Sequence, residues 1–460
     1  MMTWLARRIV YPLQERAVGR PTFPYLRELD QSQWLSRAEL EALQARKLNR
    51  LLLTALEHSP WHSLRIQQGG LERQVREGQS SLSDLARLPL MDKRDARENR
   101  DRMVWKQVPG GAFKYTTGGS SGEPLIFYFG RWRQASDAAG RMRARRWWGV
   151  EVGEREVYLW GAPVELNKTD RIKTLRDRLI NQLVLNAFEM SPARMDQYLQ
   201  AISTWQPSCI YGYASSVALL AAHGEARGMT LRLPALKVVC TTGEPLYPHQ
   251  RDLIGRFFGA PVANEFGSRD IGFTAHEAPG GQMLLMSESH ILEVLDSRGL
   301  SVAPGEEGEA VVTGLTSEAQ PFIRYRTGDR IRLSARPDPA GRGLHIIDEV
   351  AGRQTDFVVR EDGTIMHALA VIYVLRSVEG IAQFKCIQHG TLQMEVQIVP
   401  GASWDEQAGQ AVIQGLRARL GQNLQVGLTL MDDIPPEASG KHRYVVSHVN
   451  LATELKQAAA

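Results

Sequence analysis

The run Thr116-Thr-Gly-Gly-Ser-Ser-Gly-Glu-Pro124 is the stretch of this sequence best suited to holding a ligand. Gly118, Gly119 and Gly122 let the backbone turn tightly and come close to a bound group without Cβ clashes. Consecutive N–H groups can then point into one concavity, while Thr117, Ser120 and Ser121 add hydroxyl donors. Such an array suits the oxygens of a triphosphate. The run is not the common P-loop, because the Gly-Lys-Ser/Thr ending is missing. A plain surface turn has the same composition, so the loop alone decides nothing.

Other side chains narrow the chemistry by exclusion. Cys209, Cys240 and Cys386 share no metal-ligand spacing and make a poor disulfide framework, so they read as small buried residues in a reducing cytoplasm. The 55 Lys and Arg against 51 Asp and Glu leave a net charge of only +4. A nucleic-acid binder gathers its excess into one stripe with aromatics between the charges. Arg141, Arg143, Arg145 and Arg146 beside Trp147 and Trp148 read instead as the wet face of a helix with its tryptophans turned inward. Lys168, Arg171, Lys173, Arg176 and Arg178 read as a second such face, whose charge would also draw in a polyphosphate. No nucleic-acid partner is expected. No run is long and apolar enough to span a bilayer. Residues 1–20 start with a short amphipathic pattern, Trp4, Leu5, Ile9 and Val10 against Arg7 and Arg8, and pack on the protein's own body or rest on a membrane.

The elements that must position these groups fall into three textures. Residues 1–110 are mostly helical; Glu39 to Glu57 carries leucines along a broad face and Ser59-Pro60 ends the helix. From about 111 to 350 short buried strands alternate with helices: Glu156–Trp160, Cys209–Tyr211, Leu236–Cys240 and Pro261–Asn264, with a helix over Ser215–His223. This alternation predicts an α/β sheet covered by helices, with ligand residues collecting beyond the strand C-termini. A β-rich part follows at about 285–350, through Ile291–Val294, Gly308–Thr313 and Arg330–Leu333. After residue 352 the pattern is strand (Phe357–Val359), helix (Leu369–Ser377), strands Ala382–Gln388 and Leu392–Ile398 joined by the turn His389-Gly390, helix (Asp405–Leu420) and strand (Gln425–Leu430). The expected fold class is therefore α/β: a large N-terminal α/β body over 1–352 and a small α+β domain over 353–460.

The glycine loop has company downstream: Thr242-Gly-Glu-Pro245, Asn264-Glu-Phe-Gly-Ser-Arg-Asp270, Tyr325-Arg-Thr-Gly-Asp329, Gly352-Arg-Gln-Thr-Asp356 and Ser439-Gly-Lys-His-Arg443. This ordered series resembles the adenylate-forming superfamily of acyl-CoA synthetases, luciferases and adenylation domains, and within it the phenylacetate–CoA ligase branch with its capsule-biosynthesis and coenzyme F390 synthetase relatives. The resemblance covers nearly the whole chain. It implies that Thr117, Gly118, Gly119, Ser120, Ser121 and Gly122 hold the β- and γ-phosphates of ATP, and that Thr242, Gly243, Glu244 and Pro245 pack against adenine. Glu265, Phe266, Gly267 and Ser268 match the strand end beside adenine and the acyl group, and Asp270 the acidic residue associated with Mg²⁺. Asp329 matches the carboxylate on the ribose hydroxyls, Arg353 an arginine on ribose or phosphate, and Lys441 the lysine that bridges the substrate carboxylate and the α-phosphate. The resemblance also implies a mobile C-terminal domain that swings near Thr355 and Asp356.

Four positions depart from the family's pattern. Glu123 stands where a lysine is usual and removes a positive charge near the phosphates. Phe266 replaces a tyrosine, keeping the stacking surface and losing the hydroxyl. Arg269 stands in place of a small hydroxyl residue, and Asp270 replaces a glutamate one methylene longer.

The chemistry implied is ATP-dependent activation of a carboxylic acid to an acyl-adenylate, followed by transfer to a thiol, with coenzyme A as the first acceptor and a carrier-protein thiol as another. A carboxylate attacking an anionic α-phosphorus needs alignment and charge neutralisation rather than acid–base work. Trp160, Gly161, Tyr211, Gly212, Tyr213 and Phe266 are the expected wall of the acid pocket, their flat apolar faces suiting an aryl or arylacetic acid; Trp160 and Tyr211 are equally readable as core at strand ends. The rival functions are transfer to a non-CoA acceptor such as an amine or hydroxyl, and a catalytically inactive nucleotide-binding homologue. A C₂ homodimer is the general expectation for assembly.

Overall fold

The computed structural model describes residues 2–116, 125–161, 176–188, 190–351, 357–434 and 444–449. Two compact units emerge: Met1–Thr117, Leu125–Glu154 and Ala263–Gly352 in one, and Gly118–Pro124, Arg155–Val262 and Arg353–Ala460 in the other.

The first unit sets N-terminal helices on an antiparallel sheet. Helix Arg37–His58 starts at a reciprocal cap, in which the Glu39 amide donates to Ser36 Oγ and the Ser36 amide to the Glu39 carboxylate. Its Leu48, Leu51, Leu52 and Leu56 are buried together with Ile66, Leu71, Leu85 and Leu88. The strands lie in the order His290–Leu295, Glu307–Gly314, Tyr325–Leu333, Ile346–Ala351, Met283–Leu285, Gly272–Glu277 and Val262–Ser268, each antiparallel to the next. A separate hairpin pairs Phe113–Thr116 with Ile126–Phe129, Thr116 opposite Ile126. Its connecting segment is the glycine-rich run, whose residues 117–124 lie outside the described residues.

Helix Arg131–Trp147 corrects one expectation. Arg143 and Arg145 are buried rather than on a wet face. The reason is a buried acid: Glu288 accepts from both Arg143 terminal nitrogens, at 2.5 and 3.2 Å, and from Ser32 Oγ at 2.8 Å. Burying an ion pair requires this degree of satisfaction. The tryptophans do turn inward, Trp147 Nε1 donating to Gln33 and Trp148 Nε1 to the Glu277 carbonyl.

The second unit carries a parallel sheet in the order Gln182–Asn186, Glu156–Trp160, Cys209–Tyr213, Val238–Thr242, with helices Pro192–Trp205, Ala214–Ala226 and Pro248–Phe258 between strands. The strands Cys209–Tyr213 and Val238–Thr242 are buried along their whole length, as covering on both faces requires. Residues after 356 build their own sheet, Gln425–Leu430, Gln393–Pro400, Ile381–Gly390 and Val445–Ser447, with helices Ala368–Arg376 and Glu406–Leu420. Its central pair is antiparallel and its outer strands join in parallel. The fold is mixed α/β with a C-terminal α+β element, as the alternation of strand and helix signals foretold. All three cysteines are free and buried. Among the described residues no helix is long and apolar enough to cross a membrane.

Candidate functional site

In the first unit, the segment Glu265–Asp270 is shaped by a bulge and a buried carboxylate. Strand Val262–Ser268 shifts register between Phe266 and Gly267, and a Cβ on Gly267 would sit 2.3 Å from the Gly272 carbonyl oxygen. Only glycine allows that approach. Glu265 is buried opposite His276 and lies 3.5 Å from the Arg141 guanidinium. Phe266 packs at the edge of a core containing Leu125, Phe127, Phe322 and Tyr325.

Asp270 is the best-anchored group in this segment. Tyr325 Oη donates to its Oδ2 at 2.7 Å and Ser268 Oγ to its Oδ1, while Arg133 Nη1 donates to its carbonyl at 3.2 Å. Burial alone would hinder its ionisation. The Lys93 ammonium and the two hydroxyl donors outweigh that and hold the carboxyl below its ordinary value. This donor set does not fit an inner-sphere magnesium ligand: both oxygens are already acceptors, the side chain is buried, and a cation faces it. Among the described residues there is also no group of three acidic, His or Cys side chains placed to hold a metal. Tyr325 belongs to the same Tyr325–Asp329 motif as Asp329, so the motif itself was the signal for it; nothing in the sequence marked Lys93. Tyr325→Phe removes one of the two donors and lowers stability by about 2 kcal/mol. Denaturant unfolding checks this, and an unchanged midpoint would mean the bond carries no net weight.

Arg269 ties this segment to the hairpin strand that leads into the glycine-rich run. Its Nη1 donates to the Thr116 carbonyl at 3.3 Å, on the last hairpin residue before Thr117. Asp329 is half-buried within strand Tyr325–Leu333; its amide donates to Thr327 Oγ1 at 3.1 Å, and Gly328 before it has φ +75°.

In the second unit, the parallel strands end in an aromatic wall. The Trp160 ring stacks on Tyr213 at 4.5 Å and 16° and on Tyr211 at 5.7 Å and 23°. Tyr211 and Tyr213 are buried and Trp160 is half-buried. The glycines make room for this packing. A Cβ on Gly161 would fall 1.9 Å from the Phe188 ring, and one on Gly212 2.7 Å from the Leu159 carbonyl oxygen. Thr242 closes strand Val238–Thr242, and Gly243, at φ +77°, turns the chain beside Tyr213. Glu244 Oε2 accepts from the Ser215 amide at 3.0 Å, so its carboxylate sits at the positive end of helix Ala214–Ala226. Strand ends, glycine turn and helix start thus bring Trp160, Gly161, Tyr211, Gly212, Tyr213, Thr242, Gly243 and Glu244 together. Thr117, Gly118, Gly119, Ser120, Ser121, Gly122, Arg353 and Lys441 lie outside the described residues.

With this geometry in view, the relatives are informative. Residues 358–448 match the family model of the CapK C-terminal domain. Protein CapK of Staphylococcus aureus is 22% identical over 373 residues, covering 80% of this chain and 81% of that protein. A phenylacetate–coenzyme A ligase of Thermus thermophilus is 22% identical over 444 residues, covering 87% and 94%. The chain is a homologue of CapK and of the phenylacetate–coenzyme A ligases. Its fold is that of adenylate-forming enzymes: a crystal structure of 2-hydroxyisobutyryl-CoA ligase, in complex with 2-HIB-AMP and CoA, superposes with a TM-score of 0.62 over 93% of this chain and 94% of that one, at 21% identity. The resemblance read from the ordered motifs is therefore confirmed at the level of relatives and fold.

Proposed function

We propose that the protein activates a carboxylic acid with ATP to an acyl-adenylate and passes the acyl group to the thiol of coenzyme A. One observation carries the reading. The hairpin that bears the glycine loop is tied at Thr116 to Arg269, inside the motif Asn264–Asp270. Thr116, the first residue of the glycine run, thus lies beside the motif Asn264–Asp270, which supports reading the two motifs as parts of one nucleotide site. The homology to phenylacetate–coenzyme A ligases and the shared fold support the same reaction class.

In this reaction the substrate carboxylate oxygen attacks the α-phosphorus of ATP. The bond to the β-phosphate bridging oxygen breaks, and pyrophosphate departs with the electron pair. The loop Thr117–Gly122 takes the β- and γ-phosphates on its amides and hydroxyls, and Asp329 the ribose hydroxyls. Thr242–Pro245 and Phe266 flank adenine, and Arg353 reaches ribose or phosphate. Lys441 neutralises the oxygens shared between carboxylate and α-phosphate. Trp160, Tyr211 and Tyr213 offer flat surfaces to an aryl or arylacetic acid. Asp270 acts here as a positioning residue that fixes Ser268 and Tyr325. The thiolate then attacks the acyl carbon and AMP leaves. Lys441 is needed in the first step and open access for the thiol in the second, so mobility of residues 353–460 would serve both.

The test is ATP–pyrophosphate exchange over a panel of carboxylic acids, followed by mass spectrometry of the products with coenzyme A present. Exchange driven by at least one aryl or arylacetic acid, with its acyl-CoA as product, is the expected outcome. Exchange without thioester formation would move the acceptor to another nucleophile. Absence of both exchange and ATP binding would remove the proposal.

A further inference from the structure

Residues 2–17 form a continuous helical run, Met2–Leu5, Ala6–Val10 as one π-helical turn, and Tyr11–Ala17. It docks on the first unit through its polar and small groups. Ala6 is buried, Arg7 pairs with Glu151 at 3.1 Å, and Glu15 is buried as an acceptor for Thr22 and Arg20. Gly153, at φ +85°, lets the helix lie close: a Cβ there would stand 2.8 Å from the Arg7 nitrogen. The Tyr11 ring meets Phe23 edge-on at 5.8 Å.

The large apolar residues are left outside. Trp4 is 60% exposed, Leu5 44%, Ile9 39% and Leu13 55%. The apolar stripe of the sequence is thus left on the outside of the fold, with Ala6 and Glu15 inward and the Arg7–Glu151 pair half-exposed at the side. Arg8 and Arg16 are exposed on the same run, and the single acidic residue between positions 2 and 20, Glu15, is buried.

We propose that this face is a docking surface for an anionic lipid bilayer. The run is about 24 Å long at the α-helical rise, too short to span the hydrocarbon core but suited to lying in the headgroup plane. Tryptophan and aliphatic side chains enter the interface, while the arginines meet lipid phosphates. A second copy is the poorer occupant, because a two-fold contact through this face sets Arg8 and Arg16 of each chain against those of the other.

The experiment is sedimentation of the full-length protein with vesicles of phosphatidylcholine alone or with about 30% phosphatidylglycerol, in about 0.1 M salt. Wild type is expected to partition at least about 10-fold more strongly onto the anionic vesicles, since the exposed Arg8 and Arg16 meet lipid phosphates only there. The triple variant Trp4→Ser, Ile9→Ser, Leu13→Ser, which alters only exposed side chains, should keep the wild-type melting temperature and lose at least about 10-fold of that partitioning. Arg8→Gln with Arg16→Gln should lower binding to the anionic vesicles only. Failure of wild type to sediment with anionic vesicles, or undiminished sedimentation of the triple variant, overturns the proposal. So does a dimer on gel filtration that the triple variant dissolves while wild type ignores vesicles. Vesicle partition is read without substrate, so its failure is separable from failure of acid activation.

Discussion

Lys441→Ala lowers acid-dependent pyrophosphate exchange by about 10²–10³-fold, the usual loss when one group aimed at transition-state charge is removed. In the proposed reaction two anions must meet, a carboxylate and an α-phosphate, and the charge that gathers on their shared oxygens needs a cation placed beforehand. Lysine serves because its ammonium is a compact point charge on a long stem and reaches the site without a built-in geometry. In the proposed reaction Asp329, Phe266 and Thr242–Pro245 hold the nucleotide without Lys441, so ATP affinity of the variant should stay within a few-fold. The second step gives the sharper discrimination. Supplied with preformed acyl-adenylate and coenzyme A, the variant should make thioester at close to the wild-type rate, because in the proposed scheme Lys441 serves the first step and stands clear of the thiol in the second. A variant that adenylates the true acid at the wild-type rate would take Lys441 out of the mechanism. One that loses both steps equally would point to a general structural role.

How far the sequence reaches depends on whether a signal is local. Strand Glu156–Trp160 and strand Gln425–Leu430 have the predicted bounds because apolar or β-branched residues are framed by turn formers. Strand Val238–Thr242 lies two residues later than its prediction, since Thr241 and Thr242 carry no apolar signal yet stay buried in the ladder. Strand Gly272–Glu277 was invisible. It opens on a glycine and ends His276-Glu277, both buried, and the Glu277 carboxylate is satisfied from another strand, where the Asn264 amide donates to its Oε2. Arg143 was misread for the same reason, because its partner Glu288 is 145 residues away. At the site, the ordered motifs marked the strand ends and turns, whose roles follow from residue types at fixed spacing. The occupation of Asp270 by Ser268 and Tyr325 was not legible, since a carboxylate in a motif looks the same whether it faces solvent, a cation or two hydroxyls.

The buried histidines of the first unit make its stability sensitive to acid. Burial pushes His276, His290 and His345 down to about 4, with Arg133 adding to the effect at His290 and Arg37 at His345. His62 is also held well below its usual value, by burial and then by Arg65. Each has a backbone or hydroxyl partner for a neutral ring: Pro321 O for His62, Glu277 O for His276, Ile271 O for His290 and Ser287 Oγ for His345. In the unfolded chain these rings titrate near 6.5. As pH falls below 6.5 the unfolded state therefore binds protons that the folded state refuses until about 4, and stability is lost across that window. For the first three rings the loss at pH 5 is about 2 kcal/mol each, roughly 6 kcal/mol together, with His62 adding in the same direction. Glu318 opposes this. Burial raises its carboxyl to about 7, so the folded state takes up a proton before the unfolded state does and regains about 2 kcal/mol between pH 7 and pH 5. The net loss of roughly 4 kcal/mol corresponds to a fall of about 10 °C in the melting temperature of a unit of this size. Calorimetry at pH 7, 6 and 5 measures it, and a melting temperature flat to within about 3 °C would show that the rings protonate without unfolding. Glu318→Gln separates the two contributions. It removes the opposing carboxyl and leaves the histidines, so the drop from pH 7 to pH 5 should steepen from roughly 4 to roughly 6 kcal/mol.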